Sequence, residues 1–121
     1  AVRYLQHLGM ENVEAWEHEL GARLVEGVQK IDGVRLLGPT DPTKRAGLVS
    51  LAIEGVHPHD VGQLLDTRGI AVRVGHHCAQ PLHRCAGVTA STRASTYIYN
   101  TTEDVDAFLK ALAEVRPYFG F

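Results

Sequence analysis

Cysteine, charge of one sign and long apolar runs are all scarce in this sequence. Two cysteines in 121 residues are too few for a disulfide framework, and they predict a reducing compartment, the cytoplasm. The formal net charge of -2, with no run of Lys and Arg, argues against a nucleic-acid partner and against binding to a membrane surface. No apolar stretch approaches the roughly 18 residues that a membrane span requires.

What is present has the proportions of an ordinary globular protein, with 45% hydrophobic and 21% charged residues. The length predicts one domain, residues 1–121. Apolar periodicity and turn residues predict helices at 13–28, from 58 and at 101–115, and strands at 34–37, 48–54, 70–74 and 91–99. This order favours an α+β domain, a small, mostly antiparallel sheet with helices packed on one face.

Histidine marks the region where chemistry is expected. Five of the seven histidines fall between positions 57 and 83, and this stretch also holds Cys78. Cys78 follows Arg73, His76 and His77 in a segment without periodicity, which predicts an ordered loop. A partly exposed loop with cations nearby favours the thiolate, the nucleophilic form of cysteine. The alternative is a buried structural cysteine, and composition does not decide between the two.

A second hypothesis for the same cluster is a zinc-binding or sulfur-carrying interaction module. His57-x-His59, His76-His77-Cys78 and His83-x-Cys85 provide imidazole and thiolate ligands that suit zinc. Adjacent residues cannot easily all point at one ion, however, and no C-x-x-C pair is present. The missing C-x-x-C also weakens a third hypothesis, a thiol-disulfide oxidoreductase. For Cys85 we expect a packed, small hydrophobic side chain.

Arg93 lies among small residues in the predicted strand 91–99. Its planar guanidinium has the geometry to hold a carboxylate through two hydrogen bonds. The alternative is a surface arginine extending from a sheet edge, and spacing alone favours that alternative.

Longer motifs resemble a known family. RVGHHCAQP at 73–81 resembles the R-x-G-H-H-C-A-x-P motif of group II, SufS-type cysteine desulfurases in the class V aminotransferase family. TRAS at 92–95 with YNTTEDVD at 99–106 resembles a second stretch of these enzymes, as do GIAVR at 69–73 and GVHPHDV at 55–61. The resemblance covers essentially the whole chain and implies the C-terminal small domain of a fold-type I enzyme that uses pyridoxal phosphate.

The resemblance also implies roles for individual residues. Cys78 would take sulfur from L-cysteine as a persulfide, releasing alanine, and would pass the sulfur on for iron-sulfur cluster assembly. Arg93 would bind the substrate carboxylate, and Arg73 and His77 would line the active site. His59 would contact a zinc-containing SufU-type sulfur acceptor, the alternative acceptor being of SufE type.

The lysine that anchors pyridoxal phosphate in this family belongs to the large domain, for which this sequence has no counterpart. Lys30, Lys44 and Lys110 do not lie in a matching motif. The resemblance therefore predicts a fragment that holds half of an active site, binds no cofactor and is inactive alone. The full-length enzyme would be a homodimer.

Overall fold

All 121 residues are described by the computed structural model, which contains one sheet and six helices. The strands are β1 (Val34–Leu37), β2 (Leu48–Ile53), β3 (Arg73–Gly75) and β4 (Ser91–Ser95). The helices are α1 (Val2–Leu8), α2 (Met10–Gln29), α3 (Pro58–Thr67), α4 (Gln80–Cys85), α5 (Thr102–Ala113) and α6 (Val115–Tyr118), and a single 3-10 turn covers Pro42–Lys44.

The sheet has the strand order β1-β2-β4-β3, and every pair is antiparallel. Alternation along β2 puts Val49, Leu51 and Ile53 on a buried face. Helices α2 and α3 pack against this face, and α5 packs against both helices. The predicted α+β class with a small antiparallel sheet is confirmed.

The core between sheet and helices is one cluster of 17 buried apolar residues. α2 contributes a stripe of Leu20, Leu24, Val25 and Val28, as its periodicity predicts. α5 begins with a capping box at Thr101. Its hydroxyl accepts from the Asp104 N–H at 3.3 Å, and the Asp104 carboxylate accepts from the Thr101 N–H at 3.0 Å.

The opposite face of the sheet carries polar side chains. Ser91, Arg93 and Ser95 alternate away from the core along β4. α4 lies over this second face, because the Arg35 guanidinium on β1 donates to the Ala86 carbonyl just after α4, at 3.0 Å. The long helices thus cover one face of the sheet, while the short α4 and its flanking loops lie on the other.

Two predicted strands are shorter in the structure. The expected strand at 70–74 is β3, Arg73–Gly75, because the Ile70 N–H donates to the Leu65 carbonyl and so completes the end of α3. The expected strand at 91–99 ends at Ser95. A turn follows it, in which the Asn100 N–H donates to the Tyr97 carbonyl and the Tyr97 N–H donates to the Asn100 side chain. None of the helices has the length and apolar character needed to cross a membrane.

Core packing makes a testable distinction between two leucines. Leu51 is 0% exposed and Leu82 is 67% exposed. Leu51→Ala should lower the free energy of unfolding by about 2 to 5 kcal/mol, because it removes buried methyl groups and leaves a cavity. Leu82→Ala, the same chemical change on the surface, should alter it by less than about 0.5 kcal/mol. Urea unfolding followed by circular dichroism measures both, and equal losses would contradict this core.

Candidate functional site

Cys78 lies in a strained, exposed loop between β3 and α4. His77 and Cys78 are the two non-glycine residues with positive φ, at 51° and 58°. This left-handed conformation costs an ordinary L-residue roughly 1 to 2 kcal/mol. Gly75, with φ 123°, lets the chain leave β3 in a direction that other residues rarely adopt. The thiol of Cys78 is exposed, as predicted for a nucleophile and unlike a buried structural cysteine.

A hydrogen-bond network fastens this loop to β4. The Ser91 hydroxyl lies 3.2 Å from Nε2 of His77 and 2.9 Å from Nε2 of His83. On its other side, Nδ1 of His83 lies 2.9 Å from the Ala79 carbonyl. Residues 77 and 79, on either side of Cys78, are therefore both held by groups from β4 and α4.

Two arginines face each other beside this loop. Arg73 on β3 is the direct cross-strand partner of Arg93 on β4, and neither forms an ion pair or hydrogen bond with an acidic side chain. Nε of Arg93 is buried and has no hydrogen-bond partner. Like charges directly opposite each other destabilise a sheet, and an unpaired buried donor adds a further cost. An anion bound between the two guanidinium groups would remove both penalties.

His77 belongs to the same cluster as Arg93. Partial burial lowers the pKa of His77 below its ordinary value, and the positive charge of Arg93 lowers the pKa further. His77, Arg93 and Arg73 therefore lie close to one another, and Cys78 is the residue that follows His77.

His59 lies apart from that cluster, at the start of α3. His57 is the N-cap of α3, and its Nδ1 accepts from the His59 N–H at 3.3 Å. The two imidazole rings are stacked with centroids 5.3 Å apart, and both residues are exposed. The strand pairing places the end of β2, which precedes α3, at the same end of the sheet as the start of the Cys78 loop.

The expectation for Cys85 is wrong. Its side chain is exposed at the last residue of α4 instead of packed in the core. The buried position on this short helix is taken by His83, which is 6% exposed. For zinc, the structure has no group of three or more His, Cys, Asp or Glu side chains arranged to hold a metal ion.

Two residues of the hydrogen-bond network, Ser91 and His83, were not assigned to the active site from the sequence. His83 was visible there as one of the clustered histidines and as a zinc ligand candidate. Ser91 gave no signal, since a serine at the start of a strand is unremarkable and its two imidazole partners are 8 and 14 residues away.

Comparison with known proteins places these features in a family. The family model described as aminotransferase class-V matches residues 1–108. "Probable cysteine desulfurase 2" of Mycobacterium leprae is 50% identical over 99% of this chain, and "Probable cysteine desulfurase" of Halalkalibacterium halodurans is 49% identical over 99%. The chain spans 29% of the length of each of these curated relatives.

Solved structures give the same picture. A cysteine desulfurase from Thermococcus onnurineus NA1, in its apo form, matches 94% of this chain with a TM-score of 0.89 and 40% identity. The cysteine desulfurase CsdA from Escherichia coli matches 96% with a TM-score of 0.86 and 33% identity. In both cases the match covers 28% of the known chain.

The lowered pKa of His77 yields a pH prediction. In this chain, the titration midpoint of His77 should lie below 6.5, and Arg93→Ala should raise it by removing the nearby positive charge. Arg73→Ala is the matched control and should move the midpoint less, because Arg73 is not among the groups that shift this pKa. Histidine ring signals followed by NMR across pH measure all three proteins. A midpoint that falls in Arg93→Ala would contradict the arrangement.

Proposed function

Because the chain belongs to the aminotransferase class-V family, we propose that it is the C-terminal domain of a SufS-type cysteine desulfurase. In this proposal Cys78 is the sulfur-accepting nucleophile and Arg93 binds the carboxylate of L-cysteine. Arg73 and His77 line the same site. The whole enzyme works as a homodimer in the cytoplasm and supplies sulfur for iron-sulfur cluster assembly.

The observation that carries the proposal is the pair of unpartnered arginines beside an exposed thiol. Arg73 and Arg93 face each other without an acidic partner, and the buried Nε of Arg93 lacks an acceptor. A carboxylate matches both requirements, since it has two acceptor oxygens and one negative charge. An amino acid held there by its carboxylate would be next to the loop that carries Cys78. A zinc site would leave the two arginines unexplained.

The reaction transfers one sulfur atom. The thiolate of Cys78 attacks the sulfur of the bound L-cysteine, an S–S bond forms, and the bond between that sulfur and the substrate carbon breaks. The electron pair of the broken bond stays with the substrate, which takes up protons and leaves as alanine, and Cys78 becomes a persulfide. Pyridoxal phosphate, when bound, supplies the electron sink that makes this carbon-sulfur bond labile.

The three lysines of this chain are poor candidates for anchoring the cofactor. Anchoring pyridoxal phosphate requires a lysine, but Lys30, Lys44 and Lys110 are all exposed. They lie after α2, in the 3-10 turn and on α5, and none belongs to the polar face that carries Arg93. We therefore assign cofactor binding to the remainder of the enzyme and expect this chain alone to be inactive.

Two substitutions in the full-length enzyme test the assignment by their different effects. Cys78→Ser should abolish persulfide formation, measured by mass spectrometry, because a hydroxyl cannot replace the thiolate. Arg93→Ala should raise KM for L-cysteine roughly 10- to 150-fold, since hydrogen bonds to a charged group contribute about 1.5 to 3 kcal/mol.

Arg93→Lys is the matched control for the charge. It should recover only part of the affinity, because an ammonium group lacks the planar fork of guanidinium. Normal turnover to a protein acceptor by Cys78→Ser would show that the nucleophile has been assigned wrongly. An unchanged KM in Arg93→Ala would remove the carboxylate site.

For His59 we propose a role in sulfur delivery to a zinc-containing SufU-type acceptor. His59 is exposed, and α3 starts at the end of the sheet where the Cys78 loop also starts. An acceptor docked at that end would be within reach of both residues. Neutral imidazole binds zinc well, so His59 can replace a zinc ligand of the acceptor and free its cysteine to take the sulfur. An acceptor of SufE type, which holds no zinc, would not need this exchange.

His59→Ala in the full-length enzyme should therefore separate two activities. Sulfide release driven by a small-molecule reductant should be unchanged, whereas transfer to the zinc acceptor should fall at least about 10-fold. His57→Asn is the control, because it removes the stacked neighbouring ring but keeps a residue type that caps helices well. Equal effects of His59→Ala in both assays, or no effect in either, would contradict a partner role.

A further inference from the structure

The hydroxyl of Ser91 is buried between two imidazole rings. Ser91 is 0% exposed, and its oxygen contacts Nε2 of both His77 and His83. His83 in turn contacts the carbonyl of Ala79, the residue that follows Cys78. These three contacts form a network that ends on the two sides of Cys78, at the ring of His77 and at the backbone of Ala79.

The donor and the acceptor of each hydrogen bond in this network can be assigned from the chemistry of the groups. A carbonyl oxygen only accepts, so Nδ1 of His83 carries a proton and donates to Ala79. In neutral imidazole the other nitrogen then accepts, so Nε2 of His83 receives the single hydroxyl proton of Ser91. Ser91 has no second proton for His77, and Nε2 of His77 must therefore be the donor in the remaining contact.

We propose that Ser91 and His83 are positioning residues, which hold both neighbours of Cys78 in place and keep the proton of neutral His77 on Nε2. In that tautomer Nδ1 of His77 is unprotonated. Any proton that His77 accepts during the reaction is accepted there.

The strained backbone supports the positioning role. His77 and Cys78 are consecutive residues in the left-handed region, which a loop adopts only when its surroundings enforce it. Apolar packing does not enforce it here, because Cys78 is exposed and His77 is only partly buried. The network with Ser91 and His83, together with the Ala79 N–H that donates to the His76 carbonyl at 2.8 Å, provides the restraint.

The groups around His77 favour the same neutral form. Burial of the ring is the largest effect that lowers the pKa of His77, and the positive charge of Arg93 on β4 is the second. His83 on α4 and His76 in the loop, when charged, lower this pKa as well, whereas a hydrogen bond with the Ser91 backbone raises it. The importance of the tautomer for turnover rests on the proposed function, whereas the tautomer itself is a property of this chain.

The first measurement needs no substitution. Ring-nitrogen NMR of the 15N-labelled 121-residue chain, at a pH where the rings are neutral, distinguishes protonated from unprotonated nitrogens. We expect His77 to carry its proton on Nε2 and His83 to carry its proton on Nδ1. The opposite tautomer at either residue would overturn the proposal. Because this measurement does not depend on activity, its result tests the tautomers independently of the proposed enzyme function.

Matched variants then test what the network does. Ser91→Ala removes the bridging hydroxyl, and Ser91→Thr keeps it. His83→Phe removes both ring contacts, whereas His83→Gln keeps one donor and one acceptor. In this chain, Ser91→Ala should let His77 populate both tautomers, and Ser91→Thr should restore the single one. A His77 tautomer that is unchanged in Ser91→Ala would overturn the role of Ser91.

In the full-length enzyme, Ser91→Ala and His83→Phe should lower kcat roughly 10- to 100-fold, because misplacing a reacting group by a small distance has effects of this size. KM for L-cysteine should stay within about twofold, since Arg93 is untouched, and Ser91→Thr and His83→Gln should recover most of kcat. A normal kcat in Ser91→Ala, or a loss that appears only in KM, would overturn the positioning role. If instead Cys78→Ser were fully active, the proposed function would fail while the tautomer result remained valid.

Discussion

The antiparallel pairing of β3 with β4 determines where every residue of the site lies. It covers three residue pairs, Arg73 with Arg93, Val74 with Thr92 and Gly75 with Ser91. Because side chains alternate across a sheet, the first and third pairs point away from the core while the middle pair points into it. The pairing of β4 with β2 fixes the face on which Arg93 and Ser91 lie, so a shift of β3 by one residue would turn Arg73 into the apolar core. It would thereby separate Arg73 from Arg93 and move the start of the Cys78 loop away from Ser91.

The two faces of the sheet consequently have different physical properties. The face under α2 and α3 is closed by apolar packing, with Val49 and Leu51 fully buried. The other face carries two arginines without acidic partners, an exposed thiol and a short helix whose Leu82 is 67% exposed. Two positive charges without acidic partners suit a surface that meets a negatively charged group. This agrees with our proposal that the site is completed by the rest of a larger enzyme.

Much of this could be predicted from the sequence, because the relevant signals are local. Apolar spacing predicted α2 and α5, and the missing periodicity around Cys78 predicted an ordered loop. Pairing between distant segments has no such local signal. Strand register determines that Arg73 lies opposite Arg93. The contact between Ser91 and His83 forms only once the chain has folded, and β3 is shortened by the hydrogen bond from Ile70 to the end of α3. Cys85 was assigned wrongly because a six-residue helix has one buried position, and His83 occupies it.

The balance of energies in the Cys78 loop bears on the sulfur transfer that we propose. Two consecutive left-handed residues cost roughly 1 to 2 kcal/mol each. The contacts that restrain them are the hydrogen bonds of Ser91 with His77, of His83 with Ala79 and of Ala79 with His76, each with a net contribution of about 0.5 to 1.5 kcal/mol. Cost and gain are therefore nearly equal. The loop is held by polar contacts separate from the apolar core, so it can leave this conformation without unfolding the domain. A thiol that takes sulfur at a substrate site and releases it to another protein needs both properties, a defined geometry for attack and a low cost of moving away.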